Sequence, residues 1–249
     1  MYKKILKEII SNRNIDKSVI FTRFFKTGKE EYGEGDLFLG IIVPISRKIA
    51  IKYGDLELSD ISKLLNNKYH EVRLIALLIL VHKYQKLCVR QGLTQKVILK
   101  NKRKIVDFYL AHTKYINNWD LVDLSAHYTV GDFLHQSKVI KKNFPMTTLI
   151  KLAKSENLWE RRIAIISTFA FIYKGEYEWT FRIVKMLMKD KQDLIHKACG
   201  WMLREVGKRV SEQELILFLD IYGTQMPRTM LRYTIERLPE KIRLYYLNI

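Results

Sequence analysis

The amino-acid sequence predicts an all-helical chain, a curved solenoid of stacked helix pairs. Three observations lead there. Apolar residues recur on the 3.6-residue helical period in segment after segment, and no run of convincing length follows the two-residue strand period. The four prolines, Pro44, Pro145, Pro227 and Pro239, all fall where a helical segment starts, a place where the missing N–H costs nothing. A basic residue followed by an apolar run then repeats along the chain. Arg162, Lys197 and Arg232 are 35 residues apart, twice in succession, and Arg73 lies 89 residues before Arg162.

A two-helix unit of about 35 to 45 residues is the signature of HEAT-like repeats. A single helix pair cannot bury its apolar face, so units stack, and their second helices line one concave face. The predicted helices are Ile5–Ser11, Val19–Phe25, a segment starting at Pro44, Leu58–Leu65, Glu71–Tyr84, Gln95–Leu110, Trp119–Phe133, Met146–Ser155, Trp159–Tyr173, Glu178–Met188, Gln192–Lys208, Glu212–Tyr222, Arg228–Leu238 and Glu240–Tyr246. Asn117 reads as the cap of the Trp119 helix. Asn157 with Glu160 reads as a capping box, and Gly223 as a helix stop. The expected organisation is one domain over residues 1–249, with helices in 1–53 capping repeats in 54–249. For the repeated cations, Arg73 and Arg232 read as a structural ladder that ties one repeat to the next.

Between Lys26 and Asp36 the composition is that of a loop, with three glycines and two lysines. It does not match the phosphate-cradling GxxxxGK[ST] pattern, and no strand precedes it. The expectation is a flexible surface loop, with contact to a backbone phosphate as the role open to it.

Charge bounds the partners. Lys and Arg number 44 against 26 Asp and Glu, a formal +18. Nucleic acid is the default polyanionic partner of such a chain. A Lys-rich proteome gives a similar balance, so charge alone does not decide. Cys88 and Cys199 are too few for a disulfide framework and the six histidines form no ligand pair, so neither metal nor cofactor is expected. The longest apolar run, Leu74 to Val81, is far too short for a bilayer span. The N-terminus lacks the pattern of a signal peptide, and the expected location is cytoplasmic.

The candidate site begins at Asn118-Trp119-Asp120-Leu121-Val122-Asp123. Trp119 and Asp123 stand four apart, which puts an indole and a carboxylate on one helix surface, a pairing suited to stabilising a cation. The plainer reading is a core Trp and a helix-start acid. Lys197 and Trp201 share the same spacing, and Arg162 lies at the corresponding place in its own unit.

At these residues the sequence resembles the HEAT-like-repeat DNA alkylation repair enzymes of the bacterial AlkD type, over most of the chain. The marks are Gly35-Asp36-Leu37-Phe38-Leu39-Gly40-Ile41 running into Pro44 and Arg47, then Asn118 to Asp123, Asn157-Leu158-Trp159-Glu160-Arg161-Arg162, and Lys197 to Glu205. The resemblance implies a monofunctional glycosylase acting on N3- and N7-alkylated purines in duplex DNA, with no cofactor. By position it implies catalytic roles for Trp119, Asp123 and Trp201. Arg162 matches an arginine at the site and Arg204 one that contacts DNA; Arg47 and Lys197 complete the basic set expected on DNA. Ile42 and Val43 stand where such enzymes carry polar residues. The expected species is a monomer. Two further readings use the same scaffold: a non-catalytic protein that binds branched or distorted DNA, and a protein-binding scaffold.

Overall fold

A computed structural model describes residues 1–89, 92, 94–138 and 144–248. Among them the chain is all-helical, as predicted, and the one strand-like feature is an isolated bridge between Leu37 and Tyr69. No helix there is long and apolar enough to cross a membrane. The helices fall in two compact units, residues 1–125 and 126–249.

The first unit holds α1 (Tyr2–Ser11), α2 (Ile15–Phe24), α3 (Val43–Lys52), α4 (Leu58–Leu65), α5 (His70–Val89), α6 (Gln95–Ala111) and α7 (Trp119–Asp123). α2 starts a turn earlier than its apolar period suggests, because Asn14 caps it by accepting from the Lys17 N–H. Pro44 sits in the first turn of α3, as expected. α5 is the apolar axis of the unit, and every residue from Val72 to Val81 is buried. The side chain of Cys88, at the end of α5, lies outside the described residues.

The second unit opens on a π-helical turn, His127–Gly131. It continues through α8 (Asp132–Lys138), α9 (Phe144–Ala153), α10 (Leu158–Ser167), α11 (Phe169–Ile172), α12 (Glu178–Leu187), α13 (Asp193–Arg209), α14 (Glu212–Tyr222), α15 (Arg228–Ile235) and α16 (Glu240–Leu247). Pro227 and Pro239 cap α15 and α16, as their positions predicted. α13 is buried along one face and packs on α10 and α15.

Several local expectations need correction. The predicted helix 119–133 is three pieces: α7 ends at Asp123, a turn follows, and the π turn leads into α8. The predicted helix 159–173 breaks at Thr168, whose hydroxyl donates back to the Ile165 carbonyl. The cap of α7 is Asn118, not Asn117. The Asn157 side chain accepts from the Trp159 N–H, two residues on, where a capping box places that bond three on. Gly223 does end α14, but in right-handed backbone that continues into a short 3₁₀ turn.

The loop 26–36 is not a phosphate cradle. The carboxylate of Glu31 accepts from the Gly28 N–H and that of Glu34 from the Glu30 N–H, while the Glu31, Gly33, Glu34 and Asp36 N–H groups go to carbonyls of the loop itself. Gly40 is a constrained glycine. Its φ is +77°, and an added Cβ would lie 2.0 Å from the Asn14 carbonyl oxygen. Gly40→Ala is therefore expected to cost about 2 kcal/mol or more from left-handed backbone and overpacking together. A urea midpoint equal to the parent's would refute the close approach.

Candidate functional site

A buried polar network in the first unit positions α7. No local spacing in the sequence marks it, because its members are spread over 85 residues. Asp36 is 6% exposed. It accepts from Arg73 at 2.6 Å, from the His70 ring at 3.2 Å and from the side chains of Asn117 and Asn118. The other His70 nitrogen lies 2.8 Å from Asp120. Burial by itself would lower the His70 pKa, but Asp120 and Asp36 outweigh it and raise it to about 9. Burial likewise opposes ionisation of Asp36, yet His70 and Arg73 hold its carboxyl below the usual range. Next to this network Glu71, also buried, accepts from the backbone N–H groups of Leu39, Gly40 and Ile41. The Gly35–Ile41 segment and the start of α7 are thus both tied to the first turn of α5.

That arrangement separates the two carboxylates of α7. Asp120 is the helix-start acid, accepts from its neighbour's Leu121 N–H and bonds His70. Asp123 is the last residue of the helix and half-buried. The plainer reading, in which Asp123 is the helix-start charge, is therefore corrected in favour of Asp120. Beneath Asp123 the Tyr109 hydroxyl is buried against Ser125 at 2.9 Å. Burial pushes the Tyr109 phenol up, and the charge of Asp123 adds to the shift.

Trp119 is half-buried, not core. Its ring stacks on Phe25 with centroids 5.3 Å apart, meets Phe24 edge-on at 5.9 Å, and its indole N–H lies 3.3 Å from the Tyr32 hydroxyl. Phe24 is 61% exposed. These aromatic neighbours come from α2 and the glycine loop, a setting for Trp119 that no spacing in the sequence marks. Arg47 is exposed on the first turns of α3, and Ile42 and Val43 form that helix's half-buried start.

In the second unit, α13 carries Lys197, Trp201 and Arg204. Trp201 is half-buried with its ring 5.7 Å from Phe169. Lys197 pairs with Asp193 one turn back at 2.8 Å, and Arg204 pairs with Glu236 of the segment after α15. Arg162 is 5% exposed and donates to the Leu194 carbonyl at 2.5 Å.

The repeat has the right period and a different phase. Arg73 donates to the carbonyl of Asn67, six residues back, and to Asp36. Arg161 donates to the carbonyl of Ser155, also six back, and to Asp190. His196 reaches the carbonyl of Asp190, again six back. A bond to the carbonyl six residues back therefore recurs at 73, 161 and 196, one residue before the positions aligned by charge in the second unit, while Arg162 itself ties its repeat to the next at the Leu194 carbonyl. Arg73 belongs to this ladder, as expected. Arg232 does not: it is exposed and has no partner among the described residues.

This chain belongs to the DNA alkylation repair enzyme family, whose sequence profile matches residues 5–238. A solved structure described as a predicted DNA alkylation repair enzyme from Enterococcus faecalis is similar in fold, with TM-score 0.63 at 15% identity over 92% of this chain and 98% of that one. The all-helical order described above is thus the α–α superhelical repeat fold of that family. No sequence among curated proteins matches.

Proposed function

We propose that this chain is a monofunctional DNA glycosylase that hydrolyses the N-glycosidic bond of N3- and N7-alkylated purines in duplex DNA. The observation that carries the reading is the separation of carboxylates on α7. Asp120 takes both the helix start and the tie to His70, so neither duty falls to Asp123, which stands half-buried four residues from Trp119.

The chemistry needs one acid. An alkylated purine with a positive charge is already a good leaving group, so no second carboxylic acid must protonate it. The remaining barrier is the oxocarbenium-like sugar. A carboxylate about 4 Å from that charge is worth roughly 4 kcal/mol at an effective dielectric of about 20, or about a thousandfold in rate. Trp119 would stand beside the lesion nucleotide, exclude water and offer a π face to the cation; the resemblance implies a catalytic role for Trp201 as well. No metal or cofactor enters this chemistry. Arg204, Arg47 and Lys197 would hold phosphates, which fixes register and reads no sequence. Arg162, buried on the Leu194 carbonyl, supports α13 and reaches DNA only if that bond opens. The proposed species is a cytoplasmic monomer.

The deciding experiment measures 7-methylguanine and 3-methyladenine released from methylated duplex, with the parent and with Asp123→Asn. Release by the parent alone supports the glycosylase. Duplex binding without release by either protein points to the non-catalytic reading, with branched DNA as the next ligand to test.

Salt provides a second check. With about 5 to 7 phosphates neutralised, log K against log salt is expected to fall with a slope of roughly −5 to −6. Arg204→Ala should flatten it by about one and weaken binding to lesion and normal DNA alike. Arg162→Ala should instead lower the melting temperature. Affinity independent of salt would sink the DNA assignment.

A further inference from the structure

On the first unit, the second half of α5 and the middle of α6 border an open cleft of about 530 Å³, a size typical of small-ligand sites. It is not part of the Trp119–Asp123 site. His70, which bonds Asp120, lies 13 residues before Lys83 on the same helix, about 20 Å along its axis.

The lining has a regular origin. Lys83, Lys86 and Leu87 stand at i, i+3 and i+4 on α5, and Asn101, Lys104 and Ile105 repeat that spacing on α6. Each helix therefore presents ammonium groups above an aliphatic floor. The α3–α4 turn closes one end with Asp55, which pairs with Lys86 at 3.3 Å while its side chain stays 94% exposed. Gly54 makes that placement possible. A Cβ there would lie 2.4 Å from the His82 ring, so a side chain would lift the turn away from α5. Three lysines against one aspartate leave two net positive charges. His82 senses them: burial first, then Lys86 and Lys83, hold its pKa below the usual value, with Asp55 opposing.

We propose that this cleft binds a nucleoside monophosphate, with its phosphate on Lys83 and Lys104, its base over Leu87 and Ile105, and its sugar hydroxyls on Asp55. A phosphate monoester carries nearly two negative charges at neutral pH, which matches the cleft. The Asn101 amide offers both donor and acceptor to a base edge. A simple anion has no use for the aliphatic floor. An acidic peptide would meet the exposed Asp55 carboxylate as a repulsion, whereas a ribose donates hydrogen bonds to it.

The test is calorimetric titration of the full chain with adenosine 5′-monophosphate, adenosine, inorganic phosphate and a short Leu- and Asp-containing peptide, at low salt. The expected result is saturable one-to-one binding of the monophosphate, at least about tenfold tighter than phosphate or adenosine alone. Lys83→Glu with Lys104→Glu should abolish it, and Asn101→Ala should weaken it severalfold. All three positions are at least partly exposed, so the variants are expected to keep parental circular dichroism. A 20-base-pair duplex should not displace the nucleotide. Absence of saturable binding, phosphate binding as tightly as the nucleotide, preference for the peptide, or displacement by duplex would each overturn the proposal.

Discussion

Asp123→Asn is expected to lower single-turnover excision of an alkylated purine by about 10² to 10³, in line with losing one well-placed electrostatic stabiliser. Duplex affinity should hold or rise slightly, because a negative charge near phosphates is removed. The loss should be largest for the poorer leaving groups, which depend most on stabilisation of the sugar cation. A charged 7-methylguanine leaves partly unaided and should suffer less. The melting temperature should not fall. Asp123 closes α7, where the helix dipole disfavours a negative charge, so neutralising it relieves that opposition. Trp201→Ala should reduce both excision and lesion preference, since it takes away a wall and not a charge. An Asp123→Asn protein that melts early yet excises at the parental rate would remove this residue from the mechanism.

His70→Ala is expected to have the largest effect on stability, about 3 to 5 kcal/mol, because it leaves the buried Asp36 and Asp120 carboxylates without the cation between them. The pH dependence identifies the cause. The folded pKa of His70 is raised from 6.5 to about 9. Its contribution is fully present below about pH 6.5 and lost as pH rises through 9. Asp36 has a lowered folded pKa, so its contribution is present above its usual 3.8 and lost as pH falls further. Stability of the parent should therefore be broadly flat between about pH 4 and 6.5 in these two groups and decline towards pH 9. In His70→Gln the alkaline decline should vanish. Urea midpoints at pH 5.5 and 9.5 for both proteins decide it, and an unchanged alkaline decline in His70→Gln would reject the assignment.

The sequence revealed the period of this fold more readily than its phase. Helices such as Leu58–Leu65 and Glu212–Tyr222 were legible to the residue, because their apolar spacing begins and ends with the helix, and Ser211 caps the second of them. The repeat is visible in the sequence at Arg162, Lys197 and Arg232 because charge marks those positions. The hydrogen bonds that define it run through Arg161 and His196, and neighbouring cations on a helix cannot be told apart without knowing which one reaches a carbonyl. Breaks at Thr168 and after Asp123 were hidden for a related reason: the apolar pattern continues across them, while a hydroxyl or a π turn redirects the backbone. At the site, the Trp119–Asp123 pair was visible as a local spacing. Its setting was not. Phe24, Phe25 and Tyr32 reach Trp119 from 87 to 95 positions away, and His70 and Asp36 meet α7 and its cap across 50 to 82, distances over which a single sequence has no period to follow.

Glu71 carries a consequence for how such a chain can change over generations. Its carboxylate grips Leu39, Gly40 and Ile41 through the backbone, and a backbone N–H is the same whatever side chain is attached. The grip is therefore blind to substitution at 39 and 41, where any apolar group of suitable size leaves it intact, and unforgiving at 71 itself. Mutational tolerance in this corner is set by which partner is read by its identity and which by its peptide group. Two chains can drift far apart in the gripped segment and still anchor it in the same place, so long as the gripping acid stays.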